Sequence, residues 1–74
     1  MPPLPVISGL QAVLAFKKAG WVVVRQRGSH IVLVKKGSNV TLSVPNHKTL
    51  DRGTLRSLIR KAEITVEDFL QLLD

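Results

Sequence analysis

Two β-branched runs, Trp21–Arg27 and His30–Lys36, are separated by only Gly28 and Ser29. So short a connection makes the runs an antiparallel hairpin, and glycine at the first central position is the signature of a type II′ turn. That turn pairs Arg27 with His30, Arg25 with Val32 and Val23 with Val34. One face of the hairpin then carries Val22, Val24, Ile31 and Leu33. The other carries Trp21, Val23, Val32 and Val34, with Arg25, Arg27 and His30 gathered near the turn. The first face is expected to point inward, because that leaves the cationic end accessible.

The rest of the chain builds around this hairpin. Residues 1–7 contain three prolines in the first five positions and read as an extended lead-in. Ser8 is a candidate N-cap for a helix carrying Leu10, Val13 and Leu14, with Ala12 and Phe16, at helical spacing. Lys17 and Lys18 complement its dipole, and Gly20 closes it in a left-handed conformation. Gly37-Ser38-Asn39 turns the chain into a third strand, Val40–Val44, which Pro45 ends. After a polar loop, Asn46–Asp51, a second helix runs from Arg52 or Thr54 to Ala62. Its apolar side is Leu55, Leu58, Ile59 and Ala62. Thr65 and Asp68 form a capping box for a last helix whose Phe69, Leu70, Leu72 and Leu73 look inward. The expected architecture is α+β, in the order α-β-β-β-α-α, a three-stranded antiparallel sheet with helices on one face. Valines on the second face need a cover, and two readings stay open: a protein partner or second copy, or loop segments and the Pro-rich start.

At 74 residues the chain makes one domain, 1–74, whose folding buries about 60% of the surface it exposes when unfolded. There is no cysteine, so neither disulfides nor thiolate metal sites supplement the core. No stretch approaches the roughly 20 apolar residues of a membrane helix, and the start lacks the basic residues of a secretory signal. The chain is therefore expected in the cytoplasm, away from membranes. Its charge is asymmetric. Residues 1–50 hold seven Lys or Arg and no acid, and the remainder holds four cations against five anions. A basic body of this kind suits a polyanion such as RNA, or an acidic protein surface.

The inventory of reactive groups is short. Without carboxylates in the basic body, a two-metal nuclease site lacks ligands, paired-carboxylate hydrolysis lacks its pair, and no metal or other cofactor is expected. The five glycines are scattered and make no phosphate-binding loop. Histidine remains, at His30 and His47. An imidazole exchanges protons near neutrality, and RNA carries its own nucleophile, the 2′-hydroxyl beside each phosphate. His30 is the candidate for one proton transfer. Arg25, Arg27 and Lys36 are candidates to hold the phosphate, and Lys48, Arg52, Arg56 and Arg60 to extend an RNA track. For each the plainer reading is a solvated surface residue, for Ser29 a turn residue, for Trp21 a core anchor, and for His47 a loop residue that caps or touches phosphate.

Several segments together resemble one family. Gly20-Trp21, Arg25-Gln26-Arg27-Gly28-Ser29-His30, Val44-Pro45-Asn46-His47-Lys48 and Gly53-Thr54-Leu55-Arg56-Ser57-Leu58-Ile59 follow the order and spacing of the HicA mRNA-interferase toxins. Leu4-Pro5-Val6-Ile7-Ser8-Gly9 and Ile64-Thr65-Val66-Glu67-Asp68-Phe69-Leu70 extend the likeness to nearly the whole chain. The resemblance implies a fold like the double-stranded-RNA-binding domain, an endoribonuclease that cleaves mRNA, and a HicB-type antitoxin that masks it. It also implies that His30, in the Gly-Ser-His motif, is catalytic; Ser29 beside it is a further candidate for RNA contact. Many members carry two histidines in succession there, whereas His30 is followed by Ile31, which leaves the second proton carrier open. The alternatives are a non-catalytic RNA-binding module of the same fold and a protein-interaction domain.

Overall fold

The computed structural model describes residues 3–73. In chain order the elements are α1 (Gly9–Lys18), β1 (Val22–Arg27), β2 (His30–Val34), β3 (Leu42–Pro45), α2 (Arg52–Lys61) and α3 (Val66–Leu72). The strands form one antiparallel sheet in the order β1-β2-β3. This is the α+β arrangement expected from the sequence. Among the described residues no helix is long and apolar enough to cross a membrane.

Local chemistry sets the helix ends. The Ser8 hydroxyl accepts from the backbone N–H of Gln11, and the Gln11 side chain accepts from Ser8 N, a reciprocal capping box. Thr65 and Asp68 repeat the device at α3, and Asp51 caps α2 by accepting from Thr54 N. Both α1 and α2 end in the same backbone motif. Trp21 N donates to Phe16 O and Gly20 N to Lys17 O, while Ile64 N donates to Ile59 O and Glu63 N to Arg60 O. The motif needs a left-handed residue just past the cap. Gly20 supplies it at φ 102°, but at α2 it is Glu63, at φ 60°.

One core fills the space between the helices and one sheet face. It holds Ile31, Leu33, Leu42 and Val44 from the sheet, with Phe16 against Phe69 at 5.2 Å between ring centroids. The buried side of α1 is Gly9, Ala12, Val13, Ala15 and Phe16. Leu10 and Leu14, expected inside, are exposed, because the face at 9, 12, 13 and 16 lies about a third of a turn away from theirs. In α3, Phe69 is buried, and Leu70, Leu72 and Leu73 are half-buried against the core. The described part of the lead-in is part of the core too: Leu4 and Ile7 are buried in it.

Three sequence expectations about the sheet are corrected. First, the register shifts between Val23 and Arg25, so Val23 pairs with Leu33 and Val22 with Val34. The extra residue, Val24, makes a β-bulge, which reverses the alternation of everything before it. Second, Val22 and Val24 do not reach the core. β1 is an edge strand, exposed along its whole length, because α1 and α2 pack against β3 at the opposite edge. Third, β3 starts at Leu42, not Val40, since the Ser38 hydroxyl accepts from Val40 N in a local turn that competes with the ladder.

The contrast between Gly20 and Glu63 gives a prediction. A left-handed conformation costs a non-glycine residue about 1–2 kcal/mol. Glu63→Gly is expected to raise stability by about 1 kcal/mol, or ~4–8 °C in melting temperature, and Gly20→Ala to lower it by a similar amount. Thermal and urea unfolding of the two variants check this; a less stable Glu63→Gly would contradict the account of the cap.

Candidate active site

The Gly28-Ser29 turn closes the β1–β2 hairpin as the sequence implies. Gly28 has φ 58°, and Ser29 is not among the positive-φ residues, the pattern of a turn with glycine first. The Gln26 side-chain amide donates to Gly28 O and braces the turn from within β1.

Alternation along β2 decides what the turn presents. Ile31 and Leu33 point into the core, so His30, Val32 and Val34 point to the face that no helix covers. Cross-strand partners share a face. His30 therefore lies between Arg27 on β1 and Pro45 on β3, and Val32 between Arg25 and Ser43. Val32 is 8% exposed though it lies outside the main core. The bulge adds Val22 to this face beside Val34, and it sends Trp21 the other way. Trp21 is 2% exposed, and its indole N–H is buried without a hydrogen-bond partner among the described residues. It is a core anchor and offers no platform for a base.

His30, Arg25 and Arg27 are all exposed, and the structure brings them together on one face by register. Ser29 is exposed beside them, in the turn. Lys36 is not part of this group. It lies past the far end of β2, six residues from His30, or roughly 20 Å along an extended chain. Lys48 is exposed in the loop after β3. Arg52 opens α2, and Arg52, Arg56 and Arg60 make one exposed row along it at four-residue spacing, in the helical layer rather than on the open sheet face. Among the described residues no three His, Cys, Asp or Glu side chains gather as metal ligands do.

The sequence places His47 in the polar loop after β3, where it lies, but does not show how that loop is held. Asn46 N donates to Ser29 O at 2.6 Å, which carries the β2–β3 pairing one step past Pro45. On the other side, Gly9 N donates to His47 O at 2.9 Å, and a Cβ at Gly9 would collide with the carbonyl oxygen of Pro45. The carbonyls of Pro45 and His47 thus both face α1, while the N–H of Asn46 faces β2. That alternation of backbone groups is the pattern of an extended chain carried past the end of β3, and His47 is exposed. The signal is non-local: it requires the β2–β3 register and the approach of α1.

The family described as the HicA toxin of bacterial toxin–antitoxin systems has a model that matches residues 11–64 of the chain. No curated protein matches it.

The contact at Gly9 fixes the segment that carries His47. Gly9→Ala forces its methyl group onto backbone atoms of Pro45 and Asn46. The expected result is a loss of about 1–3 kcal/mol in urea unfolding, the usual range for overpacking. Unchanged stability would mean that the 45–47 segment is not held by this approach.

Proposed function

The chain belongs to the HicA toxin family, and from that premise we propose that it is an endoribonuclease that cuts mRNA in the cytoplasm, with His30 as a catalytic acid or base. The observation that carries the reading is the position of His30: an exposed imidazole on the open sheet face, with Arg27 directly across the ladder and Arg25 two residues further along the same strand.

The chemistry follows from RNA. The 2′-hydroxyl attacks the adjacent phosphorus, negative charge grows on the phosphoryl oxygens, and the 5′ oxygen leaves. A guanidinium offers several N–H donors in a planar fork that fits a phosphate, so Arg25 and Arg27 stabilise that charge. His30 moves one of the two protons. Cleavage of this type yields a 2′,3′-cyclic phosphate and a 5′-hydroxyl, and needs no metal. Ser29 and Lys48 hold the strand beside the cut, while Lys36 and the row Arg52, Arg56 and Arg60 in the helical layer contribute only to distant phosphates.

A HicB-type antitoxin is the proposed partner, and the same face supports it. Val22 is 57% exposed and Val34 37%, paired with each other on the side that carries His30. A protein that buries these valines also covers the imidazole. Inhibition then needs no conformational change in the toxin.

His30→Ala is expected to abolish growth arrest on induction and message cleavage in chelator, while keeping RNA affinity and its steep fall with salt. Cleavage and arrest undiminished by the substitution would remove His30 from the mechanism. Tight, salt-sensitive RNA binding by the wild type with no fragments would make the chain a binding module of the same fold.

A further inference from the structure

We infer that His47 is the second proton carrier of the site, acting on the opposite side of the scissile phosphate from His30. The inference rests on the ribonuclease reading above and assigns the half of the reaction that a single histidine cannot perform.

The geometry comes from the backbone. His30 pairs directly with Pro45, and the ladder continues through Asn46 N to Ser29 O. His47 is two positions beyond His30's partner, and the strand's alternation carried that far past Pro45 puts it on His30's side. Such diagonal neighbours have Cα atoms roughly 7–8 Å apart, within reach of aromatic side chains. That spacing suits an in-line displacement, because the attacking and leaving oxygens lie on opposite sides of phosphorus and each needs its own imidazole. Two rings in contact would serve only one oxygen.

The two histidines are also free in the needed sense. Both are exposed, and neither side chain makes a hydrogen bond among the described residues. The structural task at position 47 falls to the backbone carbonyl, which receives the first N–H of α1, so the imidazole is not needed for the loop's shape. The charged groups around the pair are cationic: Arg27 and Arg25 across the hairpin and Lys48 next in the chain. The nearest acid in sequence, Asp51, is engaged with Thr54 N as the cap of α2.

In the proposed step one imidazole takes the 2′-hydroxyl proton as the 2′-oxygen–phosphorus bond forms. The other, protonated, gives its proton to the 5′ oxygen as the phosphorus–5′-oxygen bond breaks. Proton count and charge balance, and no co-reactant is consumed. Before the next cut, solvent exchanges the protons.

The test uses the purified full chain in chelator and a short RNA spanning a site first mapped with the wild type. A second RNA carries sulfur in place of the 5′ bridging oxygen, a leaving group that needs no proton. His47→Ala is expected to fold with an unchanged melting temperature and to cut ordinary RNA about 10²–10⁴-fold more slowly, with the loss in kcat. The double variant with His30→Ala should be no slower than the slower single one. One of the two single variants, the one that lost the acid, should recover on the sulfur substrate to within about tenfold of wild type, while the other does not. Loss of one limb of the pH–rate profile in His47→Ala completes the expectation. The inference is overturned if His47→Ala stays within about threefold of wild type while His30→Ala is inactive. A rise in KM alone, or failure of both variants to recover on sulfur with both limbs retained, overturns it too. A wild type that cuts no RNA sinks the ribonuclease reading itself, and this inference with it.

Discussion

The open sheet face exists because β2 can bury only every second side chain. Ile31 and Leu33 enter the core beneath the helices, and a strand's two-residue period then sends His30, Val32 and Val34 the other way. No other element has to act on His30 for it to reach solvent. The tight turn before it removes any slack: Arg27 is the closing partner of the hairpin, and a shift by one residue would put Ile31 outside and the imidazole inside. The candidate site is thus pinned by the same burial that holds the fold together.

β1 would break that arrangement if it kept strict alternation. Trp21, Val23, Arg25 and Arg27 occupy positions of one parity, so a regular strand puts them all on one face. Burying Trp21 would drag both arginines toward the helices, and exposing the arginines would cast the tryptophan into water. The bulge at Val24 resolves the conflict by changing phase between Val23 and Arg25. Trp21 reaches the core, Arg25 and Arg27 stay beside His30, and Val22 joins Val34 on the open face. The fully exposed edge that remains is rich in valine, which suits a strand meant to be covered by a partner rather than by its own chain.

Much of this was legible from the sequence because it is local. Ser8, Thr65 with Asp68, and Gly20 mark helix ends by chemistry that acts within one turn. Gly28-Ser29 sets a hairpin from four residues, and the order of elements follows. What was not legible depends on distant parts meeting. The bulge has no signature of its own, since four successive β-branched or basic residues fit either phase, and only the burial of Trp21 decides between them. The exposure of Leu10 and Leu14 depends on which side of α1 meets β3. The start of β3 was set by the Ser38 hydroxyl, which satisfies Val40 N before the ladder can. In the candidate site, His30, Arg25 and Arg27 were legible from hairpin pairing alone. The separation of Lys36 follows from strand length, and the hold on the loop that carries His47 depends on a β2–β3 register and an approach of α1 that no local motif reports.

The Gly-Ser-His motif carries one histidine, followed by Ile31, and alternation limits where a second proton-moving group can lie. Position 31 faces the helices, where Ile31 is buried in the core. An imidazole there would point away from the face that bears His30, so Ile31 takes no group from that face. In exchange it contributes about 1.5–3 kcal/mol of apolar burial, a sizeable share of the stability of so small a domain. A second proton carrier on the open face has to come from a residue of the right parity on a neighbouring strand. On the β1 side those positions are Arg27 and Arg25, whose guanidinium groups stay charged and move no protons. On the β3 side they are Ser43 and Pro45, and the same alternation carried past the end of the strand reaches His47. Of these, the imidazole is the side chain suited to exchange protons near neutrality.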